Sequence, residues 1–190
     1  MRDEFEQYII SLYQDIPQEV YEGLQSIFCV GTVLFLVWKG FKTGLRYSAA
    51  LLLVEYIFLL FCSTVIFRTT GETRQYDFHP FWSYKAIQEG REELLAENIM
   101  NVVVFIPVGL LLGSAFKQMT WWKALLIGCS ISIIIESLQF FLMRGFSEVD
   151  DVMHNTLGCI VGFMIVNGFR HITAAVNHLH RAPRCFSVLC

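Results

Sequence analysis

The chain has 190 residues, of which 55% are hydrophobic, and a formal net charge of −3. Its mean hydropathy is +0.51, which excludes an ordinary soluble domain and indicates a polytopic membrane protein. The basic residues form no concentrated patch and the net charge is negative, so nucleic-acid binding is not expected. The expected fold class is therefore all-α.

The N-terminal segment, residues 1–19, is acidic and has no basic region followed by an apolar core. It therefore does not resemble a cleavable signal peptide. Its apolar residues recur at helical spacing up to Pro17, which predicts an amphipathic helix lying on the membrane interface.

Five stretches approach the roughly 20 apolar residues that cross a hydrocarbon core of about 30 Å. These predicted spans are Val20–Trp38, Tyr47–Phe67, Asn98–Phe116, Trp121–Phe141 and Val152–Phe169. Pro107 lies in the third span, where neighbouring helices can satisfy the backbone group it frees, so we expect a kink and not a break. The predicted organisation is an interfacial segment 1–19, a variable first helix with its loop 20–46, a membrane domain 47–170 and a basic tail 171–190.

The charges predict the orientation of the helices. The connections Lys39–Arg46 and Lys117–Lys123 and the C-terminal tail contain basic but no acidic residues. The N-terminal segment through Glu22 and the connections Arg68–Glu97 and Arg144–Asp151 hold fifteen of the seventeen carboxylates. By the positive-inside rule, the N-terminus is expected outside and the C-terminus in the cytoplasm of a multi-pass cell-membrane protein.

Ten polar residues then fall at the predicted outer ends of the last four spans or in the adjoining loops. Ionisable groups at bilayer depth cost several kcal/mol unless they are paired or wetted, so such residues are candidates for a functional site. Spacings of three or four residues place several of them on shared helix faces. The candidates are Arg68, Glu97, Asn98, Asn101, Glu136, Gln139, Arg144, Asp150, Asp151 and Asn155.

Two interpretations of this set stay open. It is either a satisfied polar network that holds the helices together or a polar pocket open to the outside. Because guanidinium binds carboxylate in a bidentate fork, Arg68 or Arg144 is expected to pair with Glu136, Asp150 or Asp151. No cofactor and no metal site is predicted, and the role of Glu55 within the second span stays open.

Small residues predict close helix contacts. Gly109 and Gly113 form one GxxxG pair and Gly158 and Gly162 form another, and such pairs allow helix backbones to approach closely.

Several motifs resemble those of VanZ-like membrane proteins. They are the run Glu97-Asn98-Ile99-Met100-Asn101, the run Phe105-Ile106-Pro107-Val108-Gly109, the set Glu136-Ser137-Leu138-Gln139, Arg144, Asp150-Asp151, Asn155 and Gly158, and upstream Arg68 with Phe78-His79-Pro80-Phe81. The resemblance covers about half of the chain. It implies an association with resistance of Gram-positive bacteria to glycopeptide antibiotics, in particular the lipid-tailed teicoplanin class.

Three functions are compatible with the resemblance and the outer polar set. The first is non-enzymatic binding of an amphiphile, or organisation of the cell-envelope surface; its expected partners are membrane lipids and either a lipoglycopeptide or a lipid-linked wall precursor. The second is a membrane enzyme acting on a lipid-linked envelope substrate, with Glu136, Asp150, Asp151 and His154 as acid–base candidates. The third is a small transporter.

Overall fold

The computed structural model describes residues 41–181, together with Gly23 and Gly31. The predicted interfacial segment 1–19 lies outside the described residues, and so does the first predicted span except for these two glycines, which are helical. Residues 182–190 of the basic tail also lie outside them.

The described chain is a bundle of long apolar helices. Helix α1 covers Phe41–Phe61 and continues into a π-helical turn, Cys62–Ile66. Helix α3 covers Glu93–Ala115, α4 covers Trp121–Leu142 and α5 covers Val149–Arg181, while the short helix α2 covers Trp82–Gln88. Four of these helices are long and apolar enough to cross a membrane, and they match the last four predicted spans.

The boundaries of three helices differ clearly from those predicted. Helix α1 begins at Phe41, six residues before the predicted Tyr47. Helix α3 begins at Glu93 and not at Asn98, so Glu97 and Asn98 lie in its second turn. It is unbroken at Pro107, as expected. Helix α5 continues to Arg181, twelve residues beyond the predicted end at Phe169, because nothing in this polar sequence interrupts a helix.

Glycines bring α3 and α5 into backbone contact. A Cβ atom on Gly158 would collide with the carbonyl oxygen of Val102, and one on Gly162 would collide with that of Ile106. In return, a Cβ on Gly109 would collide with the carbonyl oxygen of Cys159. The predicted packing role of these glycines is confirmed, and the contact fixes the register of the two helices that carry most of the polar candidates.

The ends of the bundle differ in chemistry. At one end, which we call the polar end, α1 and α4 finish while α3 and α5 begin, and their acidic and amide side chains meet. At the other end, the Arg46 guanidinium donates to the carbonyl oxygen of Ala115 at 3.2 Å, where α1 begins and α3 finishes. Between them lies an apolar core that includes Leu53, Phe105, Val108 and Phe163.

A small layer covers the polar end. Strand β1, Gln75–Asp77, pairs in parallel with strand β2, Phe146–Glu148, with Tyr76 opposite Ser147. Helix α2 follows β1, and β2 leads directly into α5. The sequence interpretation treated both regions as loops, since three-residue strands and a seven-residue helix leave no periodic pattern.

Candidate functional site

A polar cavity of about 170 Å³ lies at the polar end between α1, α3, α4, β2 and α5. Eight of the ten predicted candidates line it: Arg68, Glu97, Asn98, Asn101, Glu136, Gln139, Asp151 and Asn155. Thr64 and Glu148 complete the polar lining, and the apolar part includes Phe105 and Phe146. The convergence of side chains from separate helices follows from their common position at one end of antiparallel helices.

Acidic side chains outnumber basic ones in the cavity. Among the described residues that line it, four are carboxylates, Glu97, Glu136, Glu148 and Asp151, and Arg68 is the one cation. Gly145 makes room for this arginine: its φ of +115° is a conformation that favours glycine, and a Cβ there would collide with Nη1 of Arg68.

Neutral groups hold three of these carboxylates in place. Oε2 of Glu136 accepts the backbone N–H of Glu148 at 2.9 Å, and Oε2 of Glu148 accepts the indole N–H of Trp82 at 2.9 Å. Oδ1 of Asp151 accepts the side-chain amide of Asn101 at 2.5 Å. Among residues 41–181, the one pair of oppositely charged groups within 4.0 Å is His79 with Asp77. Neither residue lines the cavity. The cavity carboxylates are therefore oriented but not neutralised by cations.

The electrostatic consequence is visible at Glu148, which lies in β2 outside the membrane-spanning helices. Burial and the neighbouring carboxylate of Asp151 raise the pKa of Glu148 from 4.5 to about 8. The hydrogen bond from Trp82 opposes this rise. A cavity that raises the pKa of a carboxyl in this way favours either a proton or another cation.

Amide side chains connect the cavity to the surrounding helices. Nε2 of Gln139 donates to the carbonyl oxygen of Thr64 at 3.0 Å, while its Oε1 is buried without a hydrogen-bond partner. Nδ2 of Asn155 donates to the hydroxyl of Ser132 at 2.8 Å. Gln139 therefore offers the cavity an acceptor that no described group uses.

Arg144 does not line the cavity, and its predicted pairing with a carboxylate is wrong. Its guanidinium donates to the carbonyl oxygens of Val65, at 3.0 Å, and of Ile66. These carbonyls end the π-helical turn after α1 and have no partner within the helix, so a cation is favourable there. Arg68 likewise forms no ion pair within 4.0 Å among residues 41–181.

Asp150 also lies outside the cavity. It is fully buried, and its carboxylate accepts the backbone N–H groups of Phe81 and Ser83, at 2.6 and 3.0 Å, and the Ser83 hydroxyl at 2.6 Å. Nδ2 of Asn98 in turn donates to the same hydroxyl at 3.1 Å. Asp150 therefore caps the start of α2 from a distance and does not line the cavity.

Glu148 was missed because its carboxylate lies in a segment interpreted as a turn. The available signal was its spacing: it precedes Asp151 by three residues, and the strand pairing places its backbone N–H against Glu136 of α4. No sequence pattern reveals that pairing in advance.

His154, an acid–base candidate from the sequence, does not line the cavity. It is buried in α5, and its Nε2 is hydrogen-bonded to the Tyr84 hydroxyl at 2.7 Å, whereas Nδ1 has no partner. In the described part of the chain, no three His, Cys, Asp or Glu side chains are grouped so that they could hold a metal ion.

The fold and the cavity together define a helical membrane protein with a buried polar site rich in acidic side chains. The family model described as VanZ/LLP1 matches residues 27–170, and the chain belongs to this family. Protein VanZ of Enterococcus faecium is 35% identical to it over 69 residues, which cover 36% of this chain and 43% of that relative. The match thus spans less than half of the relative's length, and no solved structure matches the chain.

Proposed function

We propose that this protein lowers the susceptibility of a Gram-positive cell to lipid-tailed glycopeptide antibiotics of the teicoplanin class. It acts without catalysis, by binding an amphiphile in the polar cavity or by organising the envelope surface around it. Membership of the VanZ/LLP1 family and the similarity to Protein VanZ support the link to glycopeptide resistance.

The observation that carries the proposal is the cavity itself. Four carboxyl groups, an arginine and four amides converge at one end of a membrane bundle. Within residues 41–181, none of these acidic groups forms an ion pair. A purely structural network pairs its buried charges, because an unpaired buried charge is strongly destabilising. Ionisable side chains at bilayer depth that form no ion pair are candidates for a functional site.

The charge distribution supports the proposed location of this cavity. The basic connections lie at the end of the bundle opposite to it, where Arg46 contacts Ala115. With these connections in the cytoplasm, the cavity lies in the outer half of the bilayer. There it meets both lipoglycopeptides and lipid-linked wall precursors.

The test is the susceptibility of a sensitive Gram-positive host that expresses the protein, measured with teicoplanin and with vancomycin, which lacks an acyl tail. We expect protection against teicoplanin and little against vancomycin. Glu136→Gln and Asp151→Asn should remove most of the protection at matched membrane levels, because each replaces a carboxyl group that lines the cavity with an amide.

The matched control uses two glutamates one turn apart on α3. Glu97 lines the cavity, whereas Glu93 is exposed and does not. Glu97→Gln should reduce protection and Glu93→Gln should not. Equal protection by all variants would show that the cavity is structural, and absence of protection by the wild type would remove the proposed function.

A membrane enzyme acting on a lipid-linked substrate is the second candidate, and the four cavity carboxylates favour it. It predicts a changed lipid or wall product in the same cells. Lipid and wall extracts of cells expressing wild type and Glu136→Gln should be identical under the binding proposal.

A further inference from the structure

An apolar groove adjoins the polar cavity. It has a volume of about 350 Å³ and is lined by Phe78, Ile133, Ser137, Phe140, Phe141, Ser147, Val149 and Val152, together with Glu136 and Glu148. These two glutamates also line the cavity, so they form the wall that the two spaces share. A polar compartment and an apolar one therefore meet at a pair of carboxylates.

Aromatic rings surround the groove. Phe78 and Phe141 are more than half exposed, with 51% and 65% of their surfaces accessible. Tyr76 and Phe78 pack together and against Phe140, with ring centroids 4.9 to 5.8 Å apart. Such rings sit favourably at a membrane interface and provide a surface for a hydrocarbon chain.

The polar compartment is complementary to a positive charge. Its four carboxylates exceed its one arginine, and in the described chain no ion pair neutralises them. Three of the carboxylates are positioned by an indole, a backbone amide and an asparagine, which are neutral donors and add no positive charge. Bringing a cation among them relieves their mutual repulsion.

A buried acceptor points to the nature of that cation. Gln139 lines the cavity, only 5% of its surface is exposed, and its Oε1 has no hydrogen-bond partner. An amide oxygen beside carboxylates matches a group with several N–H donors. The described acidic side chains are not grouped as metal ligands, which favours an organic cation over a metal ion.

We propose that the cavity and the groove together bind an amphiphile whose head group carries a protonated amine and whose tail is a single hydrocarbon chain. The ammonium lies among the cavity carboxylates and Gln139, and the chain lies in the groove between α4 and the start of α5. Its relevance to resistance rests on the proposed function, whereas the binding itself does not.

The test is photo-labelling of the full-length protein in phosphatidylcholine nanodiscs. The probe is a twelve-carbon alkylamine with a diazirine near the end of its chain, and the competitors are dodecylamine, dodecanol and dodecyl phosphate. We expect labelling within the peptides that contain Ile133, Phe140 and Phe141. Dodecylamine should compete about tenfold or more better than dodecanol, since the alcohol lacks a charge-assisted hydrogen bond.

Variants separate head-group recognition from partition of the probe into the bilayer. Glu136→Gln should weaken amine competition about tenfold, and Glu93→Gln should leave it unchanged. Glu97→Gln is the second test variant if Glu136→Gln does not fold, because Glu97 accepts no hydrogen bond from a described residue. Nanodiscs without protein measure the partition of each competitor.

Equal competition by the three compounds, or labelling spread evenly over the membrane helices, would overturn the proposal. Preferential competition by dodecyl phosphate would also overturn it and would make Arg68 the head-group ligand. Selective amine binding without teicoplanin protection would reject the proposed function alone. Protection without amine selectivity would reject this inference alone.

Discussion

Asp150 and Asp151 are neighbours in the first turn of α5, yet they belong to two different regions of the molecule. Asp150 faces α2, where two backbone N–H groups and a hydroxyl satisfy it. Asp151 faces the cavity, where a single asparagine amide donates to it. Consecutive residues on a helix point about 100° apart, so identical side chains meet different surroundings. The comparison separates a carboxylate that completes the fold from one that lines the cavity.

Replacement of Asp150 should cause the largest loss of stability among the variants considered. Asp150→Ala leaves three donors without their partner, two of them buried at Ser83, and each buried unsatisfied group costs about 1–3 kcal/mol, so we expect a loss of about 2 kcal/mol or more. Denaturant unfolding of the purified protein in detergent measures this loss.

Asp151→Asn is the matched variant for the same experiment. It keeps the shape of the side chain and its acceptor oxygen for Asn101, so its stability should stay within about 1 kcal/mol of wild type. It should nevertheless lose the protection proposed above. If Asp151→Asn were destabilised as strongly as Asp150→Ala, the division into a structural and a ligand-binding carboxylate would be wrong.

Glu148, a third carboxyl group at this end, should make the stability of the protein depend on pH. Burial and the neighbouring carboxylates, first Asp151 and then Glu97 and Asp150, raise its pKa to about 8. Between its ordinary value of 4.5 and about 8, the folded protein therefore binds more of this proton than the unfolded chain does. The contribution of Glu148 to stability is then largest below pH 4.5 and declines as the pH rises to about 8.

Thermal unfolding of wild type and Glu148→Gln between pH 5 and 9 measures this effect. The glutamine cannot ionise, so the decline in stability over this range should be smaller in the variant. Glu89→Gln, which changes an exposed glutamate next to α2, is the control and should follow wild type. A variant with the same pH dependence as wild type would show that Glu148 is not part of the repulsive set.

Helix periodicity and charge alternation were sufficient to predict the four described spans and eight of the cavity residues. Both depend on local sequence: a span is apolar over its whole length, and antiparallel neighbours bring their ends together. The positions of Glu97, Gln139 and Asp151 followed from that rule alone.

The remaining features depend on contacts between distant segments. The role of Arg144 is set by the carbonyls of a π-helical turn 78 and 79 residues earlier, and that of Asp150 by a short helix 67 to 69 residues earlier. A sequence shows that an arginine and an aspartate are present but not which acceptor or donor is nearer. Charge complementarity therefore suggested that Arg144 pairs with a carboxylate, whereas backbone carbonyl and N–H groups bind Arg144 and Asp150 instead.

The hydrogen bond between Tyr84 and His154 lies outside the cavity, and its loss should have the smallest effect on stability. Tyr84→Phe removes one hydrogen bond, of 2.7 Å, at a side chain that is 45% exposed. We expect a loss of about 0.5–1.5 kcal/mol in denaturant unfolding and unchanged teicoplanin protection, since neither residue lines the cavity. Tyr76→Phe, which changes another exposed tyrosine at the polar end, serves as the control.

If Tyr84→Phe kept its stability but lost protection, the histidine would take part in function directly. A phenol hydrogen-bonded to a buried imidazole is a proton-transfer pair, so that result would favour the enzyme over the binding protein.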